Sequence, residues 1–324
     1  MEVWKFISDK LAAAQDVMLL YVLDSEGSSP GRAGFKMAVA TDGTIWGTIG
    51  GGIMEHKLVE KAKAMLQENE IQILLMRQYH DKVHTTDQSG MICLGNQLNG
   101  FIPLTTVDEK TIETILLEGP YTIQLSPKGL SIHESIPADK NHSLQFKSNE
   151  DWLYSEKINQ RPVIHIIGGG HVSLALSELM CFLGFYSKVY DDRPELNTIL
   201  NNFFANEKII VPDYEQLGEY IKDCKNDYAV IITMGYRTDK IALQQILNKE
   251  FFYLGMMGSE HKIEMLMNEL KAEGVGEEAL KRVFTPIGVN IYSKTTPEIA
   301  VSIAAEIIRE KNKNLPTGRN YQGF

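Results

Sequence analysis

The sequence predicts an α/β protein, with an N-terminal α+β domain over residues 1–158 and a Rossmann-like, doubly wound parallel-sheet domain over residues 159–324. The apolar run Val163–Ile167 breaks into glycines at 168–170, and a helical pattern follows. A second short apolar segment then ends in two acids at 191–192. Strand, glycine turn, helix, strand and acid is the order of a dinucleotide-binding unit. Strands and helices alternate from there on, which favours a parallel sheet covered by helices on both faces.

Composition limits the classes of function. The chain has 324 residues, 44% hydrophobic and 23% charged, with a formal net charge of −10. A negative protein is a poor partner for nucleic acid or an anionic membrane surface, because both favour a basic face. Three widely spaced cysteines indicate a reducing compartment rather than a disulfide framework. No apolar signal core follows the N-terminus and no run is long enough to span a bilayer, so we expect a cytoplasmic protein.

In the first half, the predicted helices and strands do not alternate as they do in βαβ units. An Asp-Gly turn at residues 42–43, between two apolar segments, predicts a hairpin. Apolar spacing predicts helices over 3–15, from the glycines at 50–52 through 66, and over 111–117. The predicted strands are 17–23, 35–40, 44–49, 71–79, 100–104 and 121–125, with short pieces at 144–146 and 152–154.

The second half follows the alternation that defines its class. Its predicted strands are 163–167, 187–191, 208–211, 228–233 and 251–254. Its predicted helices are 171–183, 213–222, 238–248, 259–273, 277–282 and 297–311. Residues 315–324 are predicted to be an untethered tail.

The glycine turn of the second half is the first candidate binding site. Gly168, Gly169 and Gly170 permit a tight turn and let backbone N–H groups approach a phosphate, while His171 opens the following helix. At the end of the second strand Asp191, with Asp192 beside it, is the candidate acceptor for a ribose hydroxyl. A tight turn with nothing bound is the alternative interpretation.

The first half contains a second glycine run entering a helix. Gly50, Gly51 and Gly52 precede that helix and Glu55 lies in its first turn; Ser28 and Arg32 come one hairpin earlier and offer a hydroxyl and a guanidinium. A hairpin exit that needs positive φ is an equal alternative.

Cys93 and the Gly258-Ser259 loop complete the candidates. Cys93 is either a small buried hydrophobe or a thiolate able to bind a soft metal. Ser259 is positioned to cap a helix, and its loop follows a strand, as does the segment 235–239. In a doubly wound sheet these two loops reach the same rim as the glycine turn.

Together these pieces resemble the xanthine dehydrogenase accessory protein family (XdhC/CoxI). The resemblance lies in Gly27-Ser-Ser-Pro with Gly34 and Lys36-Met, Ile49-Gly-Gly-Gly-Ile-Met-Glu55, Gly90-Met-Ile-Cys93, Gly168-Gly-Gly-His-Val172, Tyr190-Asp-Asp-Arg-Pro-Glu195, Met257-Gly-Ser259, Pro286-Ile-Gly and Thr296–Glu306. The chain departs from the family pattern at Leu94, at Gly235-Tyr236 and at Glu260-His261. The last departure removes positive charge from its loop, which weakens the case for a strongly anionic ligand there.

The resemblance implies a non-catalytic chaperone that holds the molybdenum cofactor, supports its sulfuration with a cysteine desulfurase, and delivers it to a molybdenum hydroxylase client. It implies cofactor contacts at the two glycine runs and at Gly258-Ser259, with Cys93 at the metal end. NAD(P) or another nucleotide stays open as a ligand, and so does a homodimer. The alternatives are an NAD(P)-dependent oxidoreductase, favoured by Gly168, Gly170 and Asp191, and a nucleotide-sensing binding protein.

Overall fold

A computed structural model describes residues 2–27, 29–70, 72–79, 95–117, 119–134, 141–158, 160–222 and 224–313. Contacts between residues divide the chain into two units, the first reaching Gln160 and the second beginning at Arg161. Ser28, Cys93, Leu94 and the predicted tail lie outside the described residues. None of the described helices is long and apolar enough to cross a bilayer.

The described residues of the first unit form two antiparallel sheets and three α-helices. Its helices are α1 (Glu2–Ala12), α2 (Gly52–Gln67) and α3 (Glu109–Leu116). Its strands are β1 (Val17–Gly27), β2 (Lys36–Ala40), β3 (Ile45–Thr48), β4 (Leu74–Tyr79), β5 (Gly95–Leu104), β6 (Tyr121–Ser126), β7 (Gly129–Glu134), β8 (His142–Ser148) and β9 (Asp151–Ile158). The sheet orders are β3-β2-β1-β5-β4 and β7-β6-β9-β8.

Both faces of the five-stranded sheet are covered, because the two sets of side chains on β1 enter different cores. Leu19 and Tyr21 pack in a core with α1, α3 and the four-stranded sheet. Met18 and Leu20 pack against α2 on the other face. A strand buried on both faces has a continuous apolar sequence, which is why Val17–Leu23 could be predicted.

A partly buried carboxylate joins the two sheets of the first unit. Both Tyr21 of β1 and Tyr154 of β9 donate to Glu156, the latter at 2.8 Å, and the Lys36 ammonium lies 3.2 Å from the other carboxylate oxygen. The Lys36 ammonium also lies 4.9 Å from the Tyr21 ring centroid, a cation–π distance. The carboxylate therefore has partners on three strands, which fixes the start of β2 and the loop before it.

The second unit is the predicted Rossmann domain. Its strands are β10 (Val163–Ile167), β11 (Tyr186–Asp191), β12 (Glu207–Ile210), β13 (Tyr228–Ile231), β14 (Tyr253–Met256) and β15 (Val283–Phe284). Its helices are α4 (His171–Phe182), α5 (Asn197–Leu200), α6 (Leu217–Tyr220), α7 (Tyr236–Ile246), α8 (Glu260–Ala272), α9 (Glu277–Lys281) and α10 (Thr296–Asn312). All six strands are parallel, in the order β12-β11-β10-β13-β14-β15.

Numbered from β10, this order is 3-2-1-4-5-6, the doubly wound arrangement. Separate cores lie on the two faces of the sheet, one with α4 and α10 and the other with α7 and α8. The predicted fold class, an α+β domain followed by a Rossmann-like domain, is confirmed.

Several predicted elements differ in extent. Strand β5 begins at Gly95 rather than at 100, and the predicted helix 213–222 is a 3₁₀ turn, Tyr214–Gln216, followed by the short α6. The first half of β5 carries glutamine and asparagine, which strands normally disfavour. Buried hydrogen bonds stabilise them here, and no local pattern reveals those partners.

Two segments that carry the family resemblance, Pro286-Ile-Gly and Thr296–Glu306, meet in the second unit. The Glu306 carboxylate on α10 accepts from the backbone N–H of Gly288 and from the Tyr253 hydroxyl, both at 2.8 Å. Gly288 has φ 97°, and a Cβ there would lie 2.3 Å from the Ser302 hydroxyl oxygen. The Pro286-Ile-Gly segment therefore serves to fasten α10 to the sheet.

Candidate functional site

Gln97 of β5 holds together the two loops of the first unit that the sequence singled out. Its fully buried side chain accepts from the Ser29 hydroxyl at 3.0 Å and from the backbone N–H of Gly31 at 3.2 Å. Its amide nitrogen donates to the Ile49 carbonyl at 3.0 Å and to Asn99 Oδ1 at 2.7 Å. A glutamine amide has two donors and two lone pairs, so its capacity is filled. We call these five residues the Gln97 cluster.

The glycines of these loops are required by close backbone approach. A Cβ on Gly31 would lie 2.2 Å from the Ile49 carbonyl oxygen, and one on Gly50 would lie 2.7 Å from the Gly31 nitrogen. Gly50 also has φ 132°, a conformation that side chains rarely adopt. Packing and positive φ, the alternative interpretation in the sequence analysis, therefore account for Gly50.

Glu55 fills the anion position that was predicted for a phosphate at residues 50–52. One of its carboxylate oxygens accepts from the Thr48 hydroxyl at 2.6 Å, from Ile49 N–H at 2.9 Å and from Gly51 N–H at 3.0 Å. The N–H of Gly50 donates to the Thr48 hydroxyl instead. Glu55 is therefore the anion that this turn binds, and its role as a cofactor contact stays a prediction.

Of the remaining candidates in the first unit, Arg32 is exposed and donates to the Gly27 carbonyl of its own loop at 3.2 Å. Gly51 has open space around its Cβ position, and Gly52 is exposed at the start of α2. Strand β5, which follows Cys93 in the sequence, begins at Gly95 opposite Gly27.

The glycine turn of the second unit brings β10 against the loop after β13. Gly168 has φ 106°, and a Cβ there would lie 2.5 Å from the Ile232 carbonyl oxygen. A Cβ on Gly169 would lie 2.3 Å from the Ile199 side chain. These two glycines are fixed by packing.

Gly170 differs, because no atom lies within 4 Å of its Cβ position. It precedes α4 without a side-chain cap, and His171, the first residue of α4, is exposed. The open start of this 12-residue helix is a fit for an anion, since its first N–H groups have no intrahelical partners.

Asp191, the predicted acceptor for a ribose hydroxyl, has its hydrogen-bond partners within the protein. Its fully buried carboxylate accepts from Gly169 N–H at 2.7 Å and from Arg193 through the backbone N–H at 3.0 Å, Nε at 2.8 Å and Nη2 at 2.8 Å. The Tyr214 hydroxyl is 3.3 Å away. A carboxylate has about four lone-pair positions, so none is left for a ribose hydroxyl. Asp192, with its side chain 35% exposed, lies 3.7 Å from Arg193 Nε.

Electrostatics agree with this structural role of Asp191. Burial by itself raises the pKa of its carboxyl, but the hydrogen bonds from Arg193 and Gly169 N–H and the charge of Arg193 outweigh burial, so the pKa is lowered. The pKa of Arg193 is raised, chiefly by its hydrogen bonds to Asp191. Asp191 is therefore an ionised, paired carboxylate that holds the glycine turn.

A second buried aspartate, Asp239, organises the next loops of the rim and was not identified from the sequence. It accepts from the backbone N–H of Thr233 at 3.0 Å and pairs with the Lys262 ammonium. Lys262 is in the first turn of α8, so this pair ties the loop after β13 to the loop after β14. An acid in the first turn of α7 was the available signal.

The Gly258-Ser259 loop has a structural explanation. The Ser259 hydroxyl accepts from Lys262 N–H at 3.3 Å, which confirms the predicted helix cap. A Cβ on Gly258 would lie 2.8 Å from the Ile263 side chain. The predicted convergence of the loops after β10, β13 and β14 is confirmed, because these neighbouring parallel strands end at one edge.

Among the described residues no group of three or more histidine, cysteine, aspartate or glutamate side chains could hold a metal ion. In the Rossmann domain, the start of α4 is open, and the Asp191 carboxylate beside it is occupied by hydrogen bonds from within the protein.

Comparisons with known proteins agree with this class. Residues 164–307 match the model of the XdhC Rossmann domain, and residues 11–79 match that of the XdhC and CoxI family. The chain belongs to the XdhC and CoxI family.

Individual relatives have low sequence identity to the chain. The uncharacterized protein YqeB of Escherichia coli K12 is 27% identical over 299 residues, 92% of this chain and 44% of that protein. A probable xanthine dehydrogenase subunit from Bacillus subtilis 168 is 26% identical over 161 residues, 50% of this chain and 46% of that protein. The chain thus spans less than half the length of both relatives.

A crystal structure of a xanthine dehydrogenase from Bacillus halodurans aligns with a TM-score of 0.70 and 20% identity over 99% of both chains. This likeness concerns the fold, and it extends through both units.

Proposed function

We propose that this protein is an accessory factor for a xanthine dehydrogenase-type molybdenum hydroxylase. In this proposal it binds the molybdenum cofactor as cargo, supports its sulfuration by a cysteine desulfurase, and inserts it into the client enzyme. Family membership supports the accessory role, and the name of the Bacillus subtilis relative, a probable xanthine dehydrogenase subunit, suggests the client.

The observation that carries the cofactor proposal is the open helix start at Gly170. The cofactor has a phosphate, a fused pterin ring and a soft dithiolene–metal end. The N–H groups of Ile49 and Gly51 already bind Glu55, whereas the start of α4 is uncapped and open, so we assign the phosphate to Gly170 and His171. The remaining predicted contacts, Arg32 with Ser28, Gly258 with Ser259, and Asp192, stay proposals of lower rank.

Cys93 is the proposed contact for the metal end. A thiolate is a suitable ligand for a soft metal centre, and a carrier needs no turnover of its own. An NAD(P)-dependent oxidoreductase ranks second because Asp191, the acid on which that alternative depends, is fully engaged within the protein. A nucleotide-sensing role keeps only the Gly168–Gly170 turn in its favour.

The proposal is tested by purifying the full chain gently from cells that make the cofactor, oxidising it, and measuring pterin fluorescence. We expect about one pterin per chain for the natural protein and a large loss for Gly170→Val, whose side chain would obstruct the phosphate. No pterin above the background of an unrelated protein would contradict cofactor binding.

Cys93 is tested separately by activation of a molybdenum hydroxylase in a reconstituted maturation assay. We expect Cys93→Ala to lower activation at least tenfold, with pterin binding largely retained. Cys181→Ala is the matched control, because Cys181 is an exposed free cysteine on α4. Equal activation by both variants would remove Cys93 from the site.

A further inference from the structure

We propose that Arg193 closes the ribose position of the Rossmann unit and so determines that this unit rejects adenine dinucleotides whose ribose 2′-hydroxyl is free. The proposal concerns ligand specificity, and it does not depend on the cofactor cargo. It begins with the placement of Asp191, the last residue of β11, whose carboxylate accepts from Gly169 N–H of the glycine turn. In a sheet of this strand order, the acid at that place binds the ribose hydroxyls.

The Arg193 side chain occupies both oxygens of the Asp191 carboxylate. Nε donates to one carboxylate oxygen and Nη2 to the other, both at 2.8 Å, which is the bidentate geometry in which arginine binds carboxylates best. The backbone N–H of Arg193 adds a third bond to the same carboxylate. A ribose could reach Asp191 only after this fork has opened.

The same side chain also extends across the ligand crevice. Its Nη1 lies 3.3 Å from the Met234 sulfur, in the loop after β13. Since β10 lies between β11 and β13, a side chain that starts beyond β11 and ends on that loop crosses the carboxyl end of β10. That end is the switch point at which doubly wound sheets bind their ligands.

Arg193 contacts both Asp191 and Met234, and the contact with Met234 is the weaker of the two. A thioether is a poor hydrogen-bond acceptor, and the Met234 side chain is 78% exposed. Asp191, by contrast, is fully buried and ionised, and its separation from Arg193 would leave a buried charge without its partner. The ion pair with Asp191 is therefore the contact that keeps the Arg193 side chain in the closed position.

The test is calorimetric titration of the full chain with ADP-ribose, the probe that carries the diol and the pyrophosphate. We expect weak binding by the natural protein and binding at least tenfold tighter by Arg193→Ala. Arg193→Lys, which keeps the charge but lacks the fork, should bind with intermediate affinity. If Arg193→Ala does not fold, the lysine variant carries the test.

Two further variants separate opening of the site from a general effect of charge. Loss of a positive charge alone should weaken the binding of anionic ADP-ribose. Tighter binding by Arg193→Ala would therefore have to come from opening of the site. The double variant Arg193→Ala with Asp191→Ala should lose the gain, because the freed acceptor is then absent. Arg161→Ala, an exposed arginine before β10, is the matched control and should leave the affinity unchanged.

Three results would overturn the proposal: micromolar binding of ADP-ribose by the natural protein, affinities within threefold among the natural protein and both Arg193 variants, or a gain that persists in the double variant. None of these results bears on pterin content, which is measured without added nucleotide.

Discussion

The side-chain nitrogen of Gln97 donates to the backbone carbonyl of Ile49 at 3.0 Å, across a separation of 48 residues in the chain. This bond connects the strand that follows Cys93 to the glycine run at 50–52. The oxygen of the same side chain connects both to the Ser29–Gly31 loop. One buried amide thus determines how the candidate segments of the first unit meet.

Gln97→Leu should lower the free energy of unfolding by about 3 kcal/mol, because it leaves several buried donors and acceptors without a partner. Urea unfolding followed by tryptophan fluorescence measures this. Gln145→Leu is the control, since Gln145 is exposed on β8 and should change stability by less than about 0.5 kcal/mol. Equal effects of the two variants would contradict the role of the Gln97 cluster.

Glu55→Ala should cost about 2 kcal/mol of stability, since it deprives the N–H groups of Ile49 and Gly51 of a charged acceptor. Glu55→Gln should cost less, because an amide oxygen can still accept. Glu60→Ala, on the exposed side of the same helix, is the control, and thermal unfolding compares the three. A silent Glu55→Ala would mean that these bonds contribute nothing.

Substitution by alanine should lower the stability of the protein strongly at Gly168 but only slightly at Gly170. Gly168→Ala places a Cβ against the Ile232 carbonyl at a positive φ, and we expect a loss of about 3 kcal/mol or failure to fold. Gly170→Ala enters open space at φ −71° and should change stability by less than about 1 kcal/mol. Melting temperatures of the two variants decide the matter, and comparable losses would contradict the described turn.

The stability contributed by Asp191 should depend on pH in the acid range. The pKa of Asp191 is lower in the folded protein than in the unfolded chain, where an aspartate titrates near pH 4. Its ionised form is therefore favoured by folding; the stabilisation is complete above about pH 4 and is lost as the pH falls through the folded value.

Comparing the natural protein with Asp191→Asn by urea unfolding between pH 7 and pH 3 checks this. The difference in unfolding free energy should be constant down to about pH 5 and should shrink below about pH 4. A difference that stayed constant to pH 3 would show that Asp191 does not titrate as a paired carboxylate.

Much of the architecture could be predicted because local patterns carry it. The run Val163–Ile167, the glycines after it and the apolar spacing of α4 and α10 each follow from neighbouring residues alone. The same is true of the Ser259 cap, whose hydroxyl and its partner Lys262 N–H are three residues apart. The short α6 and the polar half of β5 could not be predicted, since their stability comes from partners that are distant in sequence.

The sequence by itself determined the fold class, the glycine positions and the family, because these depend on residue type and on short spacing. Only the tertiary structure decided which polar groups are already occupied. Glu55 and Asp191 both looked like acids free to meet a ligand, and folding places each against N–H donors of its own chain. Hydrogen-bond capacity is limited, so a carboxylate filled from within has none left for a ligand, and that depends on three-dimensional contacts.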